Sequence, residues 1–235
     1  MTDTSRSPRK GSTVPGASPR KTEGDALERY YTPHNTALGV CRRWQRHIDA
    51  ALVVDPFAGG GAWLRAAMEV GAGMVSGCDL DPTARSVVNG SAYVGDGLEL
   101  MAELRPRVPL GLRQVIATNP PFTLTNETVR AIQAALAEGR ASAAILLARL
   151  TMAEGWGRRG LWRAHPPLAA LVPARRISWE GPGGELMNGT DNFGSLVVLW
   201  TAERVAYGET RIALGWDPSD EGVGGQQVEL LGGLS

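Results

Sequence analysis

From residue 51 onward the chain alternates short apolar runs with stretches whose apolar residues recur at helical spacing. Residues 51–55 form an apolar run ending at Asp55; a glycine-rich turn follows, and residues 62–70 have the period of a helix. Residues 73–79 and 92–94 read as a second and third strand, the latter closing near Gly95 and Asp96, and residues 98–104 as a helix. Gln114–Thr118 reads as a fourth strand running into Asn119-Pro120-Pro121-Phe122. Helical periodicity returns at 126–137, with Thr125 or Asn126 placed to cap it. Residues 143–148 are an unbroken apolar run that suits a fifth strand or part of a helix, and 176–179 and Ser195–Thr201 are further strand candidates. Strands separated by helices imply a parallel sheet covered on both faces, a doubly wound α/β sandwich.

Composition adds bounds. With 235 residues, 43% of them hydrophobic, the chain can bury a full core as one domain. Residues 1–24 hold one large apolar residue after the initiator Met, Val14, and are expected to be a disordered basic tail. Residues 216–235 are Gly-rich and acidic and are expected to be a second tail, leaving 25–215 as the folded domain. Cys41 and Cys78 are too few for a disulfide framework, and with His34, His47 and His165 they have no metal-ligand spacing, so no metal is expected. A polar N-terminus and the lack of any apolar run near the roughly 18 residues of a membrane span point to a soluble, cytoplasmic protein. The net charge is zero, but 130–180 carries eight Arg against three Glu while 181–235 carries eight acids against two Arg. One basic face is therefore compatible with the neutral total.

The turn Asp55-Pro56-Phe57-Ala58-Gly59-Gly60-Gly61 follows a strand and opens a helix, at the sheet edge where open α/β folds bind ligands. A dinucleotide fingerprint needs a small residue three positions after Gly61, where Leu64 stands, and a P-loop needs a Gly-Lys-Ser/Thr ending that is absent. A strand-terminal carboxylate with glycines suits a cationic ligand bearing an amino acid, because Asp55 can face an ammonium or sulfonium. Asp79 closes the second strand, where an acid can accept both hydroxyls of a ribose, and Asp96 closes the third, where it can accept from an adenine amino group. Each acid alone also suits a loop or helix cap.

Asn119-Pro120-Pro121-Phe122 has two prolines that fix φ and remove two backbone donors, leaving carbonyls directed at the pocket. The Asn119 side-chain carbonyl and the Pro120 backbone carbonyl can grip the hydrogens of an exocyclic amine while Phe122 offers a flat face. Catalysis would then rest on positioning and electrostatics, without an acid–base residue.

With both motifs in view, the chain resembles the class I S-adenosylmethionine-dependent methyltransferases, and within them the DNA N6-adenine branch. Residues 55–61 match the cofactor motif and Asn119–Phe122 the Asp/Asn-Pro-Pro-Tyr/Phe catalytic motif. The resemblance implies that Tyr31, Thr32 and Pro33 contact the methionine end of the cofactor, that Asp55, Pro56, Phe57, Gly59 and Gly61 hold it, and that Asp79 with Leu80 binds the ribose. It implies Asp96 at the cofactor adenine and Asn119 between the cofactor and a flipped target adenine in DNA. It also implies a seven-stranded, mostly parallel sheet whose last strand, here Ser195–Thr201, is antiparallel. The 235 residues are expected to leave no room for a large target-recognition domain, and the outline resembles that of small methyltransferases of bacteriophages and mobile elements. The stretch holding Trp156, Arg158, Arg159, Trp162 and Arg163, with Arg175 and Arg176, is a candidate nucleic-acid contact, or else buried Trp beside solvated Arg. The same chemistry on ribosomal RNA or a protein glutamine is a competing reading. So is an idle nucleic-acid-binding subunit of the same fold.

Overall fold

The computed structural model describes residues 28–106, 111–187 and 193–221. The expected N-terminal tail lies outside them. In chain order the elements are α1 (His34–Arg43), α2 (Gln45–Ile48), β1 (Leu52–Asp55), α3 (Ala62–Glu69), β2 (Met74–Asp79), α4 (Arg85–Val88), β3 (Tyr93–Val94), α5 (Gly97–Glu103), β4 (Gln114–Thr118), α6 (Thr125–Ala137), β5 (Ala143–Arg149), α7 (Arg159–Ala164), β6 (Ala169–Pro173), β7 (Ser195–Thr201) and β8 (Arg211–Trp216).

The central strands are apolar between their polar end residues because both faces of the sheet are covered. Side chains alternate between faces along a strand. Val53, Val115, Ile145 and Leu147 pack with Val40, Ile48 and Trp63 from α1, α2 and α3, and with Trp44 between the first two. Their neighbours Val54, Ile116, Ala144 and Leu146 pack with Met101, Val129, Ile132 and Leu136 from α5 and α6. The sheet order is β3-β2-β1-β4-β5-β7-β6-β8. All neighbours are parallel except β7, which runs antiparallel to both β5 and β6. From β1 the chain proceeds outward to β2 and β3, then returns to β4 on the other side, so the order reverses between β1 and β4.

Among the described residues the sheet thus has eight strands, not seven. Ser195–Thr201 is antiparallel as expected but is not last, for β8 follows it and pairs parallel with β6. Residues 176–179 form no strand; Ile177 and Trp179 are buried from an irregular segment, so their apolarity reflects burial without a ladder. Neither Thr125 nor Asn126 caps α6, which begins at Thr125 with Leu124 before it; the Thr125 hydroxyl donates back to the Phe122 carbonyl at 3.0 Å. Packing also continues past residue 215. Trp216 is buried, Arg43 pairs with Glu221 at 3.6 Å, and a Cβ on Gly39 of α1 would lie 2.7 Å from Pro218.

Candidate active site

A cavity of about 300 Å³ opens at the carboxyl edge of the sheet, at the β1/β4 reversal. Tyr31, Thr32, Phe57, Gly59, Asp79, Leu80, Asp96, Asn119, Pro120, Pro121 and Phe122 line it, so the structure brings most of the sequence candidates together. Pro33, Asp55, Pro56 and Gly61 are not on its wall. Glu28, Tyr30, Trp63 and Gly97 are, and no motif marks them. A position four residues before α1, or a first-turn position after a glycine turn, is the only signal that was present for Tyr30 and Trp63.

The glycine turn is shaped by close approach. Gly59 has φ +46°, and a Cβ there would stand 2.6 Å from the Tyr31 ring. Tyr31 is held in place by a two-bond bridge to Glu180, each backbone N–H donating to the other's carbonyl at 2.9 Å. Arg85 of α4 reaches the Glu180 carboxylate and lies over the Tyr31 ring. Burial, with Asp79 and Asp81 nearby, pushes the Tyr31 phenol up to about 12, so it remains a neutral donor. A Cβ on Gly97 would collide with the Pro56 carbonyl and the Phe57 ring, which explains glycine at the start of α5.

The three strand-end acids do different work. Asp79 accepts from Gly59 N–H at 2.7 Å with one oxygen and from Asp81 N–H at 2.9 Å with the other. Each oxygen keeps a further lone pair for a hydroxyl. Burial raises its pKa while these two N–H groups oppose the rise. Asp96 is exposed and serves as N-cap of α5, one oxygen accepting from Leu98 and Glu99 N–H at 2.7 and 3.1 Å. Asp55 is fully buried; its Oδ1 accepts from the Thr118 hydroxyl at 2.7 Å and from Phe57 N–H at 3.2 Å. It acts as a brace between β1, the glycine turn and β4, and burial pushes its carboxyl up to about 7.

Asn119 leaves β4 at the reversal. Its Nδ2 donates to the Tyr30 carbonyl at 3.2 Å, which turns Oδ1 away from that bond; Oδ1 is buried and without a partner. The Tyr31 hydroxyl and Trp63 Nε1, on residues of the same wall, are likewise buried and unpartnered, as is Asp55 Oδ2. Unsatisfied buried groups are scarce in folded proteins, and a concentration of them marks a place built for something else. Phe122 meets Tyr30 at 5.8 Å and the edge of Trp179 at 6.1 Å between ring centroids. The Glu28 carboxylate fastens the following residue, accepting from Thr123 N–H and hydroxyl at 3.0 Å each.

The Trp/Arg stretch divides. Trp162 is not a free wedge: it stacks on buried Trp200 with centroids 5.8 Å apart and donates from Nε1 to Met152 O at 3.1 Å. Arg158 is a strut, bonded to Asn126 Oδ1 at 3.2 Å and to Thr151 O at 3.0 Å. Trp156 is 85% exposed with Arg159 over its ring, and Arg163 lies over Tyr207. Arg175 and Arg176 line a different groove, beside Trp216 and Pro218, and do not reach this cavity. Among the described residues no group of three or more His, Cys, Asp or Glu is placed to hold a metal, and no helix is long and apolar enough to cross a membrane.

No protein-family model matches the chain, and no curated protein matches it. Solved structures do. A protein of Pyrococcus horikoshii assigned as an RNA methyltransferase superposes with TM-score 0.54 at 20% identity, over 77% of this chain and 90% of that one. The M protein of the type I restriction enzyme EcoKI gives 0.55 at 14% identity over 79% of this chain, which spans 47% of that protein's length. The 23S rRNA methyltransferase ErmE gives 0.51 at 16% identity, over 76% and 71% of the two chains. At these identities the likeness is one of architecture, and the chain has the Rossmann-like, mostly parallel α/β fold of these methyltransferase structures.

Proposed function

We propose that this protein is an S-adenosylmethionine-dependent methyltransferase that acts on the exocyclic N6 amine of adenine in DNA. The observation that carries the reading is the setting of Asn119. Its amide is oriented by the Tyr30 carbonyl, so that Oδ1, beside Pro120 and Phe122, is a buried acceptor with no partner among the described residues.

The residues present fit the cofactor. Asp79 has acceptor capacity left for a ribose, Gly59 and Gly97 let Tyr31 and Phe57 close in as cavity walls, and the cavity volume is in the range of small-molecule sites. When bound, S-adenosylmethionine supplies an electrophilic methyl group. The chain supplies position. Asn119 Oδ1 and the Pro120 carbonyl take the two hydrogens of the acceptor amine, favouring a localised lone pair on nitrogen. Phe122 orients the acceptor ring by stacking. The burial of Asn119 Oδ1 strengthens that hydrogen bond by excluding water. DNA is favoured as acceptor by the resemblance of Tyr31-Thr32-Pro33, which lies on the cavity wall through Tyr31 and Thr32, to the DNA branch. RNA methyltransferases are among the structural neighbours, which keeps RNA as the second reading.

The test is transfer of label from tritiated cofactor to genomic DNA, ribosomal RNA and protein, with the methylated product identified by mass spectrometry. N6-methyladenine in DNA is expected. Asn119→Ala should reduce the rate about a hundredfold to a thousandfold while cofactor affinity largely survives. Full turnover by Asn119→Ala would refute amino-group methylation by this site.

A further inference from the structure

The flat face that the acceptor needs is already covered. Arg149, the last residue of β5, places its guanidinium carbon 3.6 Å from the centroid of the Phe122 ring. The same guanidinium carbon lies 4.6 Å from the centroid of Phe193. The register explains the meeting: Arg149 pairs with Ser195 at the start of β7, and Leu150 N–H donates to the Gly194 carbonyl at 2.7 Å, which brings Phe193 alongside. A guanidinium is planar and stacks at about the distance a nucleobase would. In addition Asn119 Oδ1, the acceptor of the motif, is sealed from solvent. Asn119 Oδ1 and the face of Phe122 under Arg149 are therefore both covered in this conformation, although the two residues line the cavity.

We infer that the Arg149 guanidinium is a displaceable stand-in for the acceptor base, holding the slot against Phe122 and Phe193 and swinging out when a base enters. This rests on the acceptor reading above. Its energetic consequence is that intrinsic base affinity is reduced by the fraction of molecules in which the slot is open. The cation–π contacts with Phe122 and Phe193 make that reduction at least about threefold. Arg149 is on this account a positioning residue, and Phe122 together with Asn119 remains the part that touches the base.

The experiment compares wild type with Arg149→Met, which keeps the aliphatic stem, and Arg149→Ala, each with S-adenosylhomocysteine present. Folding is checked by melting temperature. Affinity is measured by fluorescence anisotropy for end-labelled oligo(dA) and for a strand of equal length built of abasic sites. The inference requires both variants to bind oligo(dA) at least about threefold more tightly, with no gain on the abasic strand. Equal weakening on both strands would make Arg149 a phosphate contact and overturn the proposal, as would unchanged oligo(dA) affinity. If none of the proteins distinguishes oligo(dA) from the abasic strand, the acceptor reading itself fails, a separate result. Steady-state transfer gives a second check: loss of a stand-in lowers KM and leaves kcat, whereas loss of a mere scaffold for Phe122 lowers kcat.

Discussion

Asp55 carries a stability cost that can be measured directly. It is fully buried, and only the Thr118 hydroxyl and the Phe57 N–H oppose the desolvation of its charge, while Asp79 adds to it. Its pKa accordingly moves from 3.8 to about 7 in the folded protein. Below about pH 3.8 both the folded and unfolded chains hold the proton. Between the two values the folded state retains a proton that the unfolded state has lost, so stability falls as pH rises, and above pH 7 the loss is complete. At the exchange rate of pKa for free energy the loss amounts to roughly 4 kcal/mol. Asp55→Asn is the matching perturbation, because its side-chain oxygen can still accept from Thr118 and Phe57 but nothing ionises. Its unpartnered amide N–H group costs about 1–3 kcal/mol at every pH and leaves the slope untouched. The assay is denaturant unfolding of the ligand-free proteins from pH 4 to pH 8. The difference between variant and wild type should shift by about 4 kcal/mol in favour of the variant across that range. Parallel stability curves would refute the idea that Asp55 is held against its charge by burial.

Other outcomes follow from the same geometry. Asp79→Ala removes the group that accepts from Gly59 and Asp81 and should weaken S-adenosylhomocysteine binding by roughly 1.5–3 kcal/mol, read by calorimetry; unchanged affinity in a folded variant would take Asp79 out of the site. Trp162→Ala should destabilise the fold by about 3 kcal/mol, because the indole is stacked on Trp200. Trp156→Ala should shift stability by no more than about 0.5 kcal/mol yet weaken single-stranded DNA binding by about 1–3 kcal/mol. If Trp156→Ala leaves DNA affinity intact, that exposed ring is no nucleic-acid contact.

The half of the fold that forms the cavity was legible because its signals are local. Each of β1, β2 and β4 is an apolar run ended by a polar residue that turns out to face or brace the site. The half beyond β5 was legible only at Ser195–Thr201. Ile177 and Trp179 are apolar because they fill the core, and a buried loop satisfies that need as well as a strand does. In β8 the side chains of Ile212 and Leu214 are exposed, so the usual correspondence of apolar residue and core fails. Arg149 and Phe193 lie 44 positions apart and meet only through the β5–β7 register, which no local pattern encodes. Asp55 was expected to face a ligand; that it instead braces β4 through Thr118 depends on strands paired across 63 residues.

The insertion of β7 between β5 and β6 has a consequence for how the chain emerges from the ribosome. β5 lies at the middle of the finished sheet and six of its seven residues are buried, yet its outer ladder is supplied by Ser195–Thr201, some fifty residues later. Until that segment is synthesised, β1, β2, β4 and β5 can pair, but β5 is left as a bare apolar rim able to template association with any other extended chain. A stop codon anywhere between residues 150 and 195 would make that rim permanent. Such fragments would hold every strand that carries the Asp55, Asp79 and Asn119 positions and still be expected to precipitate.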